Sequence, residues 1–172
     1  MPEIMDKLTN FTAYRNGTEY LGVLNIELPE MTALTDELSG AGIAGKIDMP
    51  VIGHFDAAET TLEWGTLAKS SITLAAFETH SIDCYGSQQG YDSGTGRFRN
   101  QSVKVSLRVI PKTLSAGSFE PGAKTGTSNG LEVIYIKIEL DGERIYEIDK
   151  LNFICYINGK DYLEEVRNNL RL

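Results

Sequence analysis

Cysteine and histidine are almost missing from this chain, with 2 of each in 172 residues. Cys84 and Cys155 alone cannot build a disulfide framework, and such a pair is expected to be two reduced, buried thiols. The histidines, His54 and His80, form no H-x3-H pair and the cysteines no C-x2-C pair, so no zinc signature exists. His80 and Cys84 lie in a stretch that reads as strand, where positions i and i+4 are ~13 Å apart, too far to share one metal. No run of ~18 apolar residues occurs, which excludes a membrane-spanning helix. The opening Met1-Pro2-Glu3-Ile4-Met5-Asp6 is acidic and mixed, unlike a signal peptide, so the expectation is a protein made and kept in a cytoplasm.

Positive charge is also scarce. Lys and Arg number 16 against 24 Asp and Glu, a net charge of −8, which excludes a surface built mainly to grip nucleic acid. The deficit is uneven. Residues 1–92 hold four basic and fourteen acidic side chains, whereas residues 93–172 hold twelve and ten. A molecule acidic on one side and mildly basic on another suits head-to-tail stacking on its own copies.

What is present is β-pattern. The length suits one domain, residues 1–172, able to bury about two thirds of its unfolded surface. Tyr20–Leu28 reads as a first strand after an Asn16-Gly17 turn, and residues 30–38 fit a short helix or an extended segment equally. Leu62 and Trp64 face one way from the strand 59–64, and residues 67–77 form the best internal helix. Ile82–Gln88 reads as a strand and 86–100 as a polar hairpin or loop. The clearest alternation is Val103, Val105, Leu107 and Val109 against Ser102, Lys104, Ser106 and Arg108. A long connection, 111–130, precedes a strand with Ile134, Ile136, Ile138 and Leu140 on its core face. Asp141-Gly142 turns into a strand at 145–148, and residues 151–157 form another, closed by Asn158-Gly159. Asp161 and Glu164 resemble a capping box for a C-terminal helix carrying Tyr162, Leu163, Val166 and Leu170.

Candidate chemistry is thin. Gly40-Ala41-Gly42-Ile43-Ala44-Gly45 fits G-x-G-x-x-G literally. That motif needs a hydrophobic strand before it and a helix after it; here Thr35–Ser39 is polar and Pro50 follows closely, so a mobile or partner-ordered loop is the better reading. No serine lies in G-x-S-x-G. Arg97, Phe98 and Arg99, with Tyr91, Lys104 and Arg108, could make a base-stacking platform, but Asp83 and Asp92 beside them favour a solvated or subunit-facing edge. Long strand edges invite pairing with further copies, and the 39–50 and 111–130 segments are long enough to need a partner to order them.

Several further runs occur in order: Glu19-Tyr20-Leu21-Gly22-Val23, Leu28-Pro29, the Ser39–Gly45 stretch with Pro50, Leu62-Glu63-Trp64, Gln88-Gln89-Gly90-Tyr91-Asp92, and Tyr135-Ile136-Lys137-Ile138. The most distinctive is Glu147–Cys155, followed by Asn158-Gly159 and Asp161-Tyr162-Leu163. In this ordered set the chain resembles the major tail tube proteins of contractile-tailed phages, the phage tail tube protein FII family, whose relatives occur in phage-tail-like particles and R-type bacteriocins.

The resemblance implies a mainly β fold: an orthogonal β-sandwich or partial barrel of about six to eight strands, with a flanking helix and a C-terminal helix. It implies six subunits in a ring, rings stacked head to tail into a hollow tube, and strands joined into one barrel around the lumen. The implied partners are the chain itself, a sheath protein, baseplate and tape-measure proteins, and DNA passing non-specifically through the lumen of a phage. The implied place is a virion tail or tail-like particle, assembled in the host cytoplasm, without membrane insertion of the subunit. The family has no catalytic residues and no cofactor or metal, and Gly40, Ala41, Gly42, Ile43, Ala44 and Gly45 match its Gly-rich stretch, where subunit contact is expected. Two alternatives stand beside this one: an exported tube of the type VI secretion kind, and a small β-sandwich enzyme or ligand-binding module.

Overall fold

Val105, Leu107 and Val109 point into a core from one face of a long strand, and the computed structural model builds the whole fold around that strand. It describes residues 3–172. In chain order the elements are β1 (Glu3–Arg15), β2 (Glu19–Tyr20), β3 (Asn25–Glu27), β4 (Ala33–Leu38), β5 (Ile47–Phe55), β6 (Glu59–Glu63) and α1 (Lys69–Thr73). Then follow β7 (His80–Asp92), β8 (Arg97–Ser115), β9 (Ser128–Leu140), β10 (Glu143–Asp149), β11 (Ile154–Ile157), β12 (Lys160–Asp161) and α2 (Glu164–Leu170). The fold is mainly β, as expected, with two short helices. The twelve strands exceed the expected six to eight: β2, β3 and β12 are only 2, 3 and 2 residues long, and β1, β4 and β5 lie in segments that did not read as definite strands.

The main sheet runs β12-β11-β10-β9-β8-β7-β1-β2, with every pairing antiparallel. β9 divides it. Residues 128–132 take β6 on their free side, which in turn pairs with β3, whereas residues 135–140 take β10. Two layers therefore diverge from one strand, and the core fills the space between them. Leu62, Leu74, Ile82, Leu107, Leu131, Ile148 and Leu163 are fully buried there. Trp64 donates its Nε1–H to Asn129 Oδ1 at 2.8 Å, and Asn129 Nδ2 donates to the Ser71 carbonyl at 3.0 Å, so the buried polar atoms that link α1 to β9 are satisfied.

The turn signals hold. Asp141 and Gly142 adopt φ of 49° and 82°, and Asn158 and Gly159 47° and 88°, the two positive-φ residues that a two-residue hairpin matching strand twist requires. Other expectations are corrected. β1, absent from the sequence reading, pairs with β7 along its length, but bulges between Met5 and Lys7 and between Leu8 and Asn10 break its period of two. The expected strand 20–28 is interrupted and survives only as β2 and β3. Residues 33–38 are extended, which resolves the open choice at 30–38. β8 continues to Ser115 and β9 begins at Ser128, so the long connection shrinks to 116–127.

In β9 a bulge at Ile134, between the pairs Arg108↔Tyr135 and Val109↔Val133, reverses the phase of the strand. Val133 and Leu131 therefore take the core positions in that half, and Ile134 does not. The helix expected at 67–77 shrinks to Lys69–Thr73. Ser71 and Thr73 turn their hydroxyls back onto the Ala68 and Lys69 carbonyls, a contact that competes with helix propagation. Residues 151–153 form a turn instead of strand, held by Asp149, which accepts from Leu151 N at 3.0 Å and Asn152 N at 2.9 Å. The capping box does not form. Asp161 accepts from Leu163 N at 3.0 Å and pairs with Arg167 at 2.7 Å, and no side chain caps α2.

Both cysteines are buried free thiols. Burial, with Asp83 adding to it, pushes the Cys84 thiol from its ordinary 9.0 to about 12. The thiolate is the reactive form, so Cys84 should resist a thiol-modifying disulfide reagent in the native protein and react only on unfolding. Above about pH 9 the unfolded chain releases this proton first, so stability should fall between pH 9 and about 12 in pH-dependent thermal melts.

Candidate assembly surface

β4 and β5 form a two-stranded sheet of their own, and the glycine stretch is its tip. Gly40, Gly42 and Gly45 have φ of 152°, 90° and 135°, and a Cβ on any of them would meet nothing within 4 Å. Ala41 and Ala44 are exposed, Ile43 is half-buried, and Ile43 N donates to the Gly40 carbonyl at 3.1 Å in a tight turn. A strand, β5, follows the glycines where a dinucleotide site would need a helix, so the motif match is accidental.

The stem of this arm is amphipathic. The register Asp36↔Met49, Glu37↔Asp48 and Leu38↔Ile47 puts Leu38, Ile47 and Met49 on one face, with Asp36 opposite Met49 as its one charge, and Glu37 and Asp48 on the other. Lys46 pairs with Glu37 at 2.9 Å, completing the polar side. The apolar side has no cover: Leu38, Ile47 and Met49 are each more than 40% exposed, and Leu34 and Val51 add to them. A bare two-stranded ribbon is marginal in water, and an apolar patch on it marks a contact surface. Its root is fixed. Asp56 N donates to the Thr32 carbonyl at 2.9 Å, Met31 and Phe55 pack on the core, and Gly53 lies flush against Leu163 at the start of α2.

A second open region lies at the far end of the sheet. Pairing of β8 with β9 begins only at Val103, and β2 covers only Tyr14 and Arg15 of β1. The first half of β1, residues 86–92 of β7 and 97–101 of β8 therefore extend as three strands with unpaired backbone on both sides. Ile4, Met5, Leu8, Tyr91 and Phe98 are exposed on them. Where this extension meets β3, a groove of about 220 Å³ is lined by Leu8, Phe11, Ile26, Leu28, Val103 and Val105. The Arg97-Phe98-Arg99 run is part of this hairpin. Phe98 packs on Tyr91 with ring centroids 5.4 Å apart, and Arg99 pairs with Glu3 and Asp141, each at 3.2 Å. The run is thus a charged edge, not a free stacking platform.

The face of β7–β10 away from the core is different again. It carries Asp83 on β7, Lys104 and Arg108 on β8, Lys137 and Glu139 on β9, and Arg144, Glu147 and Asp149 on β10. Arg144 pairs with Glu147 at 2.6 Å and lies 3.6 Å from the Tyr156 ring centroid. Tyr135 donates to Glu147 at 2.8 Å; burial and that carboxylate push its phenol well above the usual tyrosine range. Lys137 pairs with Glu139 at 3.5 Å and Lys104 with Asp83 at 4.0 Å, while Arg108 lies over the Tyr135 ring at 4.8 Å.

No group of His, Cys, Asp or Glu suited to a metal occurs among the described residues. Fully buried His80 lies within reach of Arg15 Nη1 at 3.4 Å and the Ala76 carbonyl at 3.2 Å, contacts that join β7 to the end of β1 and to the turn after α1. The sequence reading singled out the tip of the arm and missed the stem and the β1 extension. The signal in the stem was Ile47, Met49 and Val51 at alternate positions after the glycines, with Leu34 and Leu38 before them.

The family model described as phage tail tube protein FII matches residues 5–170. The chain is 28% identical over 173 residues to the tail tube protein of Escherichia phage P2, spanning 96% of this chain and 97% of that protein. It is 24% identical over 159 residues to the major tail tube protein of Serratia phage KSP20, spanning 92% and 91%. Among solved structures, a sheath–tube complex of an extracellular contractile injection system in the extended state matches with a TM-score of 0.48 at 16% identity, covering 75% of this chain and 87% of that one. The anti-feeding prophage baseplate matches with a TM-score of 0.44 at 11% identity, covering 76% and 89%.

Proposed function

The chain belongs to the phage tail tube protein FII family and is a structural tail tube protein, not an enzyme; from that premise we propose that six copies close into a ring and that rings stack head to tail into the inner tube of a contractile tail. The observation that carries this is the β4–β5 arm. A ribbon with an uncovered apolar face and a fixed root is built to lie on another copy, and the glycine tip lets its turn fit against a neighbour. The open edges of the β1–β7–β8 extension would be paired in the same assembly, which removes the aggregation hazard they pose in a monomer.

Ring closure uses one heterologous contact repeated around an axis, and stacking uses a second one that does not close, so a filament results. The sheath, baseplate and tape-measure proteins of a tail would be its partners, and in a phage the lumen would conduct DNA. Its place would be a virion tail or a tail-like particle. Sedimentation velocity over a range of concentrations, alone and with sheath and baseplate proteins, tests the proposal: large, discrete assemblies are expected, and a strict monomer under all conditions would sink it.

A further inference from the structure

We propose that the β4–β5 arm is a strap that closes over its own subunit, and that the free chain hides its assembly face in this way until another copy takes it. The closure is a property of the single chain, and its role as a restraint on assembly rests on the tube reading above.

The hinge is visible in the register. Thr35 to Leu38 pair with Pro50 to Ile47 without a break, and Ala33 pairs with Phe55 at the root. Between them, Val51, Ile52, Gly53 and His54 face the single residue Leu34, so the ladder is interrupted where the arm leaves the body. Gly53 sits in that break with φ of 69° and rests on buried Leu163, which makes it a fulcrum. A two-stranded stem beyond such a break has little to hold its angle.

The landing site adjoins the hinge. An apolar gap of about 230 Å³ lies between the arm and β11, with Val51, Ile52 and Phe55 lining one side and Cys155, Ile157 and Tyr162 the other. Val51 and Tyr162 are 44% and 45% exposed. Met49 stands two residues from Val51 on the same side of β5, so bending the stem into the gap buries Val51 first and Met49 next. The hydrophobic effect drives that motion wherever no partner covers the face. Charge agrees. Asp36, opposite Met49, comes down with the apolar face. Lys160 lies over the Tyr162 ring at 4.7 Å and pairs with no carboxylate among the described residues. Closing brings that carboxylate to that ammonium. Four residues of strand span about 13 Å, so closing moves the tip toward α2 by on the order of 10 Å.

Nitroxide labels on Ala41→Cys at the tip and Asn169→Cys on α2 read the closure by dipolar spectroscopy of dilute, unassembled protein. Both positions are exposed, whereas Cys84 and Cys155 are buried and stay unlabelled. The otherwise unaltered chain should give a short distance. Tyr162→Ser and Lys160→Glu, both at exposed positions, should each lengthen it by about 10 Å. Asp36→Lys combined with Lys160→Glu should restore the short distance, because reversing both charges rebuilds the pair. If Tyr162→Ser does not fold, the charge-reversal set decides alone. Equal distances in all variants, or no rescue, overturn the proposal. Sedimentation of the unlabelled variants reads assembly separately, and Lys160→Glu should assemble at a lower concentration than the wild type. The expected distance changes without assembly of any variant reject the tube reading alone, and assembly with an unchanging distance rejects only this inference.

Discussion

Replacing Leu38 and Met49 together by aspartate should leave a folded subunit that no longer assembles. Both side chains stand on the apolar face of the β4–β5 ribbon, 43% and 45% exposed, and neither belongs to the core. Exposed substitutions away from caps and packing change stability by about 0.5 kcal/mol or less, so the melting temperature should barely move. Assembly should respond strongly, because each aspartate would carry an unpaired charge into a desolvated contact, at a cost of several kcal/mol repeated around the ring. Thr35→Asp, on the opposite face of the ribbon, supplies the comparison and should assemble normally. Sedimentation of the two variants beside the wild type measures the difference. Normal assembly by L38D/M49D would remove the arm from the interface.

Gly53→Ala should be the most damaging small substitution. Gly53 has φ of 69°, and a Cβ built there lies 2.5 Å from Leu163 Cγ. Leu163 is fully buried at the start of α2 and cannot step aside, so the arm root or the helix must shift. Overpacking costs about 1–3 kcal/mol and the left-handed backbone another 1–2 kcal/mol, together about 2–5 kcal/mol. For a chain of this length that lowers the melting temperature by roughly 5–15 °C. Gly42→Ala separates the two causes: its φ is 90° but nothing lies within 4 Å, so only the backbone cost of about 1–2 kcal/mol should appear. Equal melting temperatures for the two variants would show that Gly53 and Leu163 are not in firm contact.

These two residues also show where the sequence was legible and where it was not. Regular period-two segments such as Val103–Val109 were plain, and so were the hairpins at Asp141-Gly142 and Asn158-Gly159, because side-chain alternation and turn chemistry are local. The strand that escaped notice, β1, and the strand whose facing was misread, β9, both carry irregularities. β1 is bulged twice and β9 once, at Ile134, and each extra residue moves the following side chains to the other face. The Asp161-Glu164 cap failed because Arg167 and the β11–β12 pairing claimed Asp161. At the assembly surface, Gly40–Gly45 stood out by composition. The stem needed the register Leu38↔Ile47 to show that its apolar residues share one face, and register across a loop is not a local property. The contact of Gly53 with Leu163 joins parts of the chain far apart in sequence, so no local pattern announces it.

The central claim is self-assembly into a hollow tube, and negative-stain electron microscopy of the concentrated protein, alone and with its sheath and baseplate partners, tests it most directly. The account predicts rings with six-fold symmetry and a central hole, stacked into tubes of constant diameter. Only featureless single subunits, or rings without a lumen, would contradict it.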